Sequence, residues 1–499
     1  MTLRKGKRVL KKVLIANRAE IASRVIRACK KLNIKSVAVF SDVDAHLPYV
    51  SEADEAVYIG PAPAAQSYLV ADTIIEAAKE SGADAIHPGY GFLSENADFV
   101  EQVNQAGLTF IGPSAEAMHQ LGSKDAAKQV ATKAGVPVTP WFKVENADQA
   151  VNKTQEIGYP VIVKPVAGGG GKGMYRCEND DELAEGIERA TREAKSAFGD
   201  DNLLVEKFLV NPRHIEVQIL GDSKGNVVHL FERECSIQRR NQKLIEESPT
   251  TALNKEEREK LCEDAVKIAK AVNYENAGTC EFLYDEKGKS WYFCEMNTRL
   301  QVEHPVTEVV TGIDIVEQQL RVASGEALPY TQKDVVSCGH AIELRIIAED
   351  PFENFSPSLG TVEHLELPQG EDIRNDAGYT TGNTISPHYD SLLTKLIVGG
   401  GTREEAIRTA LSALKDFRLV GLQTCIPFHQ AMLCDKGFTS GKFHIHYAEE
   451  RMNDSLCKKE DPELAALAAA LVTYKRETQL REAKESDLSS WVSSTFPKI

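Results

Sequence analysis

Long apolar runs are missing from these 499 residues; none approaches the roughly 18 side chains that a membrane-crossing helix needs, so no membrane partner is expected. The ten cysteines, scattered from Cys29 to Cys457, include no C-x-x-C pair, so neither a zinc site nor a disulfide framework is indicated. They read as reduced packing residues. No long basic tract offsets the net charge of −16, which disfavours nucleic acid, where phosphate neutralisation needs clustered lysine and arginine. The opening MTLRKGKRVLKKVLIAN is basic but lacks the apolar core and small-residue cleavage site of a signal peptide. A cytoplasmic protein is the expectation. No G-x-G-x-x-G follows the first strand pattern, so a dinucleotide site is unsupported.

What is present is a globular composition, 42% hydrophobic and 26% charged, over a length that implies two to four domains. KVLIANR (12–18), a helical pattern over 20–32 and SVAVFSD (36–42) make a β-α-β unit. AVYIG, a helix near 69–81, ADAIHPGYGFLSEN, a helix over 97–106 and TFIGPS extend it to a parallel, doubly wound sheet closing near residue 120. HPGYGFLSEN (87–96) leaves its strand at the carboxyl edge, where α/β ligands bind. A tight connection that needs its glycines only for conformation is the alternative.

The densest chemistry lies in EMNTRLQVEH (295–304). On an extended strand, Glu295, Asn297, Arg299, Gln301 and Glu303 share one parity, an entirely polar face. Upstream, GTCEFLY and WYFCEMN are β-prone runs joined by DEKGKS, a hairpin that, centred on Gly288, sets Glu281 opposite Glu295 beside Asn297. Two carboxylates held together need a compensating cation, and oxygen-only ligands suit Mg²⁺ or Mn²⁺ completed by substrate phosphates. A solvated sheet face would also alternate in this way.

Three further segments bear on the same chemistry. GYPVIVKPVAGGGGKGMYRC (158–177) carries a strand ending in Lys164, then Gly168, Gly169, Gly170 and Gly171, whose backbone N–H groups can approach phosphate. It is not a Walker loop, since Val166 stands five before Gly171 and Gly173 follows Lys172. A flexible hairpin tip is the competing reading. In 201–220, Glu206 and Lys207 close an apolar strand that can present backbone groups to a flat base, with His214 beyond it. ERECSIQRRNQKLIEESP (232–249) clusters Arg233, Arg239, Arg240 and Lys243 among amides, a composition that fixes anionic oxygens. The alternative is a solvated basic loop paired to its own glutamates.

Taken together, VLIANRAEIASRVIRACK, HPGYGFLSENA, VKPVAGGGGKGM, ECSIQRRNQKLIEE, EMNTRLQVEHPVTE, IELRIIAEDP and HYDSLLTKLI resemble the signature segments of biotin carboxylases, members of the ATP-grasp superfamily. The segments keep the family's order from residue 12 to about 447. The resemblance implies an ATP-grasp α/β fold in three parts, an N-terminal doubly wound domain (1–121), an ATP-grasp domain (122–335) with a mobile glycine-rich lid at about 140–207 and a biotin carboxylase C-terminal domain (336–448). A helical extension (449–499) lies beyond the resemblance.

It also implies roles. Lys124 and Lys164 match ATP phosphate lysines, and the glycine run the lid loop. Glu206, Lys207 and Leu209 match the adenine hinge, with His214, Gln238 and Asn241 near ribose and base. Glu281, Glu295 and Asn297 match ligands for Mg²⁺ or Mn²⁺. Lys243, Arg299, Gln301, Val302 and Glu303 match the bicarbonate site, with Glu303 as general base. Arg345 matches the arginine facing the biotin ureido oxygen, and Tyr90 a tyrosine near biotin.

The chain departs from the pattern at Asn241, where many bacterial members carry histidine, at Ala19 in place of the glycine of ANRGEI, and at Pro165, Val166 and Ala167. None of the six methionines sits in the AMKM-like hairpin that carries biotin. The biotinylated carrier and the carboxyltransferase are therefore expected on separate chains, with a homodimer formed near Arg24 and Arg27. In the tail, 461–483 has the composition of a helix starting at Asp461 and Pro462. Two other readings remain open, another ATP-grasp ligase, such as a carbamoyl-phosphate or carboxylate-amine ligase, and a non-catalytic ATP-binding scaffold.

Overall fold

The computed structural model describes residues 9–145, 147–166, 173–199 and 201–453. The glycine run 168–171 and the tail after 453 lie outside them.

The alternation read in the first third builds a parallel five-stranded sheet, in the order Glu55–Gly60, Lys35–Ser41, Lys12–Ile15, Ala85–His87, Thr109–Phe110. Helices Ala19–Lys31, Ala71–Glu80 and Ala97–Gln105 lie where periodicity predicts them, to within two residues. The strand order reverses between Lys12–Ile15 and Ala85–His87, so the loops leaving those two strands meet at one edge. Asn17 ties them, its Nδ2 donating to the carbonyls of Pro88 and Tyr90 at 2.7 Å each. Gly89 has φ +63°, and a Cβ there would stand 2.8 Å from that same Nδ2. The glycine is required for this close approach.

A small unit follows, with strands ordered Trp141–Lys143, Leu203–Lys207, Val161–Pro165, Tyr175–Cys177 and helices Ala147–Ile157 and Asp180–Phe198. It has a core of its own, including Val161, Val163, Leu183, Ala190 and Val205. Asn179 caps the second helix by accepting from the Glu182 N–H, and Gly199 at φ +71° stops it.

The rest is organised on an antiparallel eight-stranded sheet, ordered Ser290–Asn297, Asn276–Asp285, Arg213–Gly221, Val227–Arg239, Gln242–Ser248, His340–Ile347, Leu392–Gly400, Ile373–Ala377. The sheet runs on across residue 336, pairing Ile245 with Leu344, so the segments on either side share one layer. The N-terminal sheet is bolted to the far end of the chain by Arg18. This buried guanidinium pairs with Asp44 at 2.7 Å, donates to the Tyr379 hydroxyl at 2.9 Å and lies 4.3 Å over the Tyr389 ring.

Candidate active site

A cleft of about 790 Å³ lies between the small unit and the eight-stranded sheet, lined by side chains from both. Its lining includes Lys124, Lys164, Glu206, Lys207, Leu209, His214, Gln238, Asn241, Lys243, Glu281, Glu295, Asn297, Arg299, Gln301, Val302, Glu303 and Arg345. Residues expected from distant parts of the sequence are thus brought together. Tyr90 is the exception. It lines a separate hollow of about 120 Å³ with Asn17, Ala19 and Asp390, and its hydroxyl is held by Glu20.

Hairpin geometry sets the two acidic residues. Glu281 pairs with Glu295 across the strands, as the Gly288 centre requires. Nearer the turn the pairs slip by one, with Phe282 opposite Phe293, so Cys294 forms a bulge that restores the register at the cleft. The extended parity, however, stops at Asn297, where the strand ends. Thr298 N–H turns aside to Glu95 at 3.1 Å, and a helix begins at His304 with Pro305 in its first turn. The polar residues beyond Asn297 reach the cleft from an irregular loop, which is why Val302, of the other parity, lines it too.

At the sheet end of the cleft, Lys243 Nζ is gripped by three carboxylates, Glu216 at 2.6 Å, Glu281 at 3.1 Å and Glu303 at 2.5 Å. Burial alone would lower its pKa, but these glutamates hold it well above the ordinary lysine value. The other Glu303 oxygen receives Arg345 Nη2 at 2.9 Å, and Arg345 Nε donates to Glu246 at 2.6 Å. Burial pushes the Glu303 carboxyl up, yet Lys243, Arg345 and Arg233 outweigh it and keep it ionised, well below the usual range. Gln301 and Asn297 each donate to Glu281 Oε1 at 2.8 Å, while Arg299 reaches Asn297 Oδ1 at 3.1 Å and Glu95 at 2.8 Å.

At the other end, Glu206 Oε1 lies 3.3 Å from Lys128, Glu206 Oε2 accepts from Lys164 at 3.2 Å, and the Thr139 hydroxyl donates to Glu206 at 2.6 Å. Burial raises the Glu206 pKa, but the two lysines prevail and bring it to about 2. Lys207 folds back onto the carbonyls of Gly158 and Tyr159 at 3.0 and 2.9 Å. His214 Nε2 stands 3.0 Å from Glu281. Arg240 and Asn241 form a two-residue hairpin turn, both left-handed at φ +48° and +63°. Asparagine is one of the few residues that adopt this conformation readily.

The donor set for a divalent ion fits. Glu281, Glu295 and Asn297 offer oxygen alone, and burial together with Glu281 pushes the Glu295 carboxyl up, a strain that a hard cation relieves. Two other acidic groupings lie nearby, His214 with Glu216 and Glu281, and Glu216 with Cys235 and Glu303. Lys243 already fills the space between their carboxylates.

The basic segment 232–249 needs correction. Arg233 is buried and committed to Glu216, Gln218, Thr279, Gln301 and Thr307, and Arg239 is held by Asn354. Of the four cations, Arg240 and Lys243 line the cleft. Sequence reasoning missed Glu216, Glu246, Lys128 and Glu95. Glu216 had a signal, the alternation His214, Glu216, Gln218 on a strand whose partner carries Arg233.

Family models match the chain in three consecutive stretches. They are the biotin carboxylase N-terminal domain (9–118), the ATP-binding domain of the carbamoyl-phosphate synthase L chain (123–331) and the biotin carboxylase C-terminal domain (343–450). Biotin carboxylase 1 of Bacillus subtilis is 49% identical over 443 residues, covering 88% of this chain and 98% of that protein. The chain belongs to the biotin carboxylase family. The fold agrees with that membership. The biotin carboxylase domain of the Hydrogenobacter thermophilus 2-oxoglutarate carboxylase, solved as a dimer with MgADP, ADP and bicarbonate, superposes with a TM-score of 0.87 at 47% identity. It covers 91% of this chain and 100% of that one. A pyruvate carboxylase subunit of Methanothermobacter thermautotrophicus is 47% identical and covers 93% of this chain and 98% of its own length. That match enters the segment after 448, so the family likeness extends further than the motifs alone indicate. The helix expected at 461–483 lies outside the described residues.

Proposed function

We propose that this biotin carboxylase family member carboxylates biotin on a separate carrier protein, using ATP and bicarbonate, as the first half-reaction of an acetyl-CoA, propionyl-CoA, pyruvate or related carboxylase. The observation that carries the reading is Glu303 held between Lys243 and Arg345 in the same cleft as Lys164 and Lys124. A base, anion-binding cations and phosphate-binding lysines thus share one space.

Bicarbonate entering beside Lys243 and Arg299 competes for the hydrogen bonds that now restrain Glu303. Each bond Glu303 gives up raises its pKa, so the substrate activates its own base. Glu303 then takes the bicarbonate proton while the cations hold the anion in line with the γ-phosphate. Attack forms carboxyphosphate and releases ADP; carboxyphosphate splits to CO₂ and phosphate, and the phosphate deprotonates the biotin ureido nitrogen. Arg345 stabilises the resulting oxyanion. A divalent ion bound by Glu281, Glu295 and Asn297 would supply charge neutralisation at the phosphates.

The ATP-binding family model is shared with carbamoyl-phosphate synthase, and the flanking models with Arg345 favour biotin. The partners in this reading are a biotinylated carrier, a separate carboxyltransferase and a second copy of the chain. Among the described residues no helix is long and apolar enough to cross a membrane; a cytoplasmic site of action is part of this proposal. The test is ADP release by purified protein with MgATP, with bicarbonate and free biotin added or withheld. Turnover that requires bicarbonate and rises with biotin is expected. Turnover indifferent to bicarbonate would contradict the reading.

A further inference from the structure

Lys395 is a fully buried lysine in the middle of the strand Leu392–Gly400. Taking an ammonium out of water is costly unless its surroundings compensate, and an apolar side chain would fill this position without that cost. Its partners indicate why it is there. Nζ donates to the Val302 carbonyl at 2.9 Å, lies 3.2 Å from Glu20 Oε2 and 3.9 Å from Asp376.

Two of these contacts point at the site. Lys395 stands directly across from Arg345 on the neighbouring strand. Arg345 holds the Glu303 carboxylate while Lys395 holds the carbonyl of the residue before it, so adjacent cations grip consecutive residues of one loop. Glu20 carries the second link, since its other oxygen accepts the Tyr90 hydroxyl. One ammonium therefore joins the loop bearing the base to the tyrosine expected near biotin.

We propose that Lys395 is a positioning residue that fixes the Val302–Glu303 loop and Tyr90 in one register, so that CO₂ formed beside Glu303 meets a biotin ring held near Arg345 and Tyr90. The inference rests on the roles proposed above for Glu303 and Tyr90. Its signature is coupling rather than stability, because a misplacement of about 1 Å can cost about 100-fold in a positioned reaction.

The experiment measures ADP released and carboxybiotin formed in the same reaction for wild type, Lys395→Met and Glu20→Gln, with thermal melting and MgATP binding as controls. Wild type is expected to show bicarbonate-dependent ADP release. Both variants are expected to bind MgATP and to form about tenfold less carboxybiotin per ADP, since a tenth of the transfer rate is a modest loss for a displaced group. If Lys395→Met does not fold, Glu20→Gln alone decides. An unchanged ratio in every folded variant overturns the role of Lys395, while wild type lacking bicarbonate-dependent ADP release overturns the carboxylase reading and this inference with it.

Discussion

The two ends of the cleft handle charge in opposite ways. At the lysine end, Lys124, Lys128 and Lys164 face two carboxylates, Glu206 and Glu295, which leaves positive charge in excess where a polyphosphate would lie. At the sheet end, Lys243, Arg233 and Arg345 are outnumbered by Glu216, Glu246, Glu281 and Glu303. One end waits for an anion to neutralise it. The other already pairs its cations with its own carboxylates, so in the proposed reaction an incoming anion displaces one of them, and binding and activation become a single event.

The sharpest way to break this comparison is Glu303→Gln. The amide keeps the shape but accepts no proton, and bicarbonate-dependent ADP release should fall by about 100- to 10,000-fold. A loss under about threefold, far below what a general base contributes, would mean that the sheet end holds charge without using it. Next in size is Glu206→Gln, which leaves two lysines without their carboxylate and should cost about 3 kcal/mol in urea unfolding. An unaltered midpoint would show that the lysine end tolerates its excess charge unaided.

The pH dependence of stability should then differ between the ends. Glu206 is depressed to about 2, so its contribution is complete above its ordinary 4.5 and is lost as pH falls through 2. Glu246 is raised by burial to about 7 against the pull of Arg345, so its contribution is complete below 4.5 and is lost as pH rises through 7. Replacing each by glutamine should flatten its own window and leave the other, by about 3 kcal/mol in each case. Urea midpoints followed from acid to neutral pH measure this.

The smallest effect is expected at Ala19, beside the Tyr90 hollow. Its φ is +54°, a conformation that an L-residue adopts at a cost and glycine adopts freely. Ala19→Gly should raise stability by less than about 1 kcal/mol, and a loss would show that the methyl group packs well enough to offset the strain.

Much of this was legible in the residues. The parallel sheet followed from alternating strands and helices, and the Glu281–Glu295 pair from hairpin parity, because both depend on local spacing. The bulge at Cys294 was not legible; the register at the cleft came out correctly because the assumed centre already contained the extra residue. Glu246 and Lys128 stayed hidden for another reason. They act on partners 99 and 78 positions away in sequence, and spacing along a chain carries no such distances. Arg233 looked like an anion ligand because composition does not distinguish a cation facing a cleft from one buried beneath it.

The measurement that bears most directly on the account follows oxygen through the first chemical step. Bicarbonate labelled with ¹⁸O is supplied with MgATP and biotin, and the inorganic phosphate is analysed by mass. Attack of bicarbonate on the γ-phosphate, with Glu303 as base, predicts one labelled oxygen in each phosphate formed. Phosphate carrying oxygen from water alone would contradict it and would leave the sheet end of the cleft without its proposed reaction.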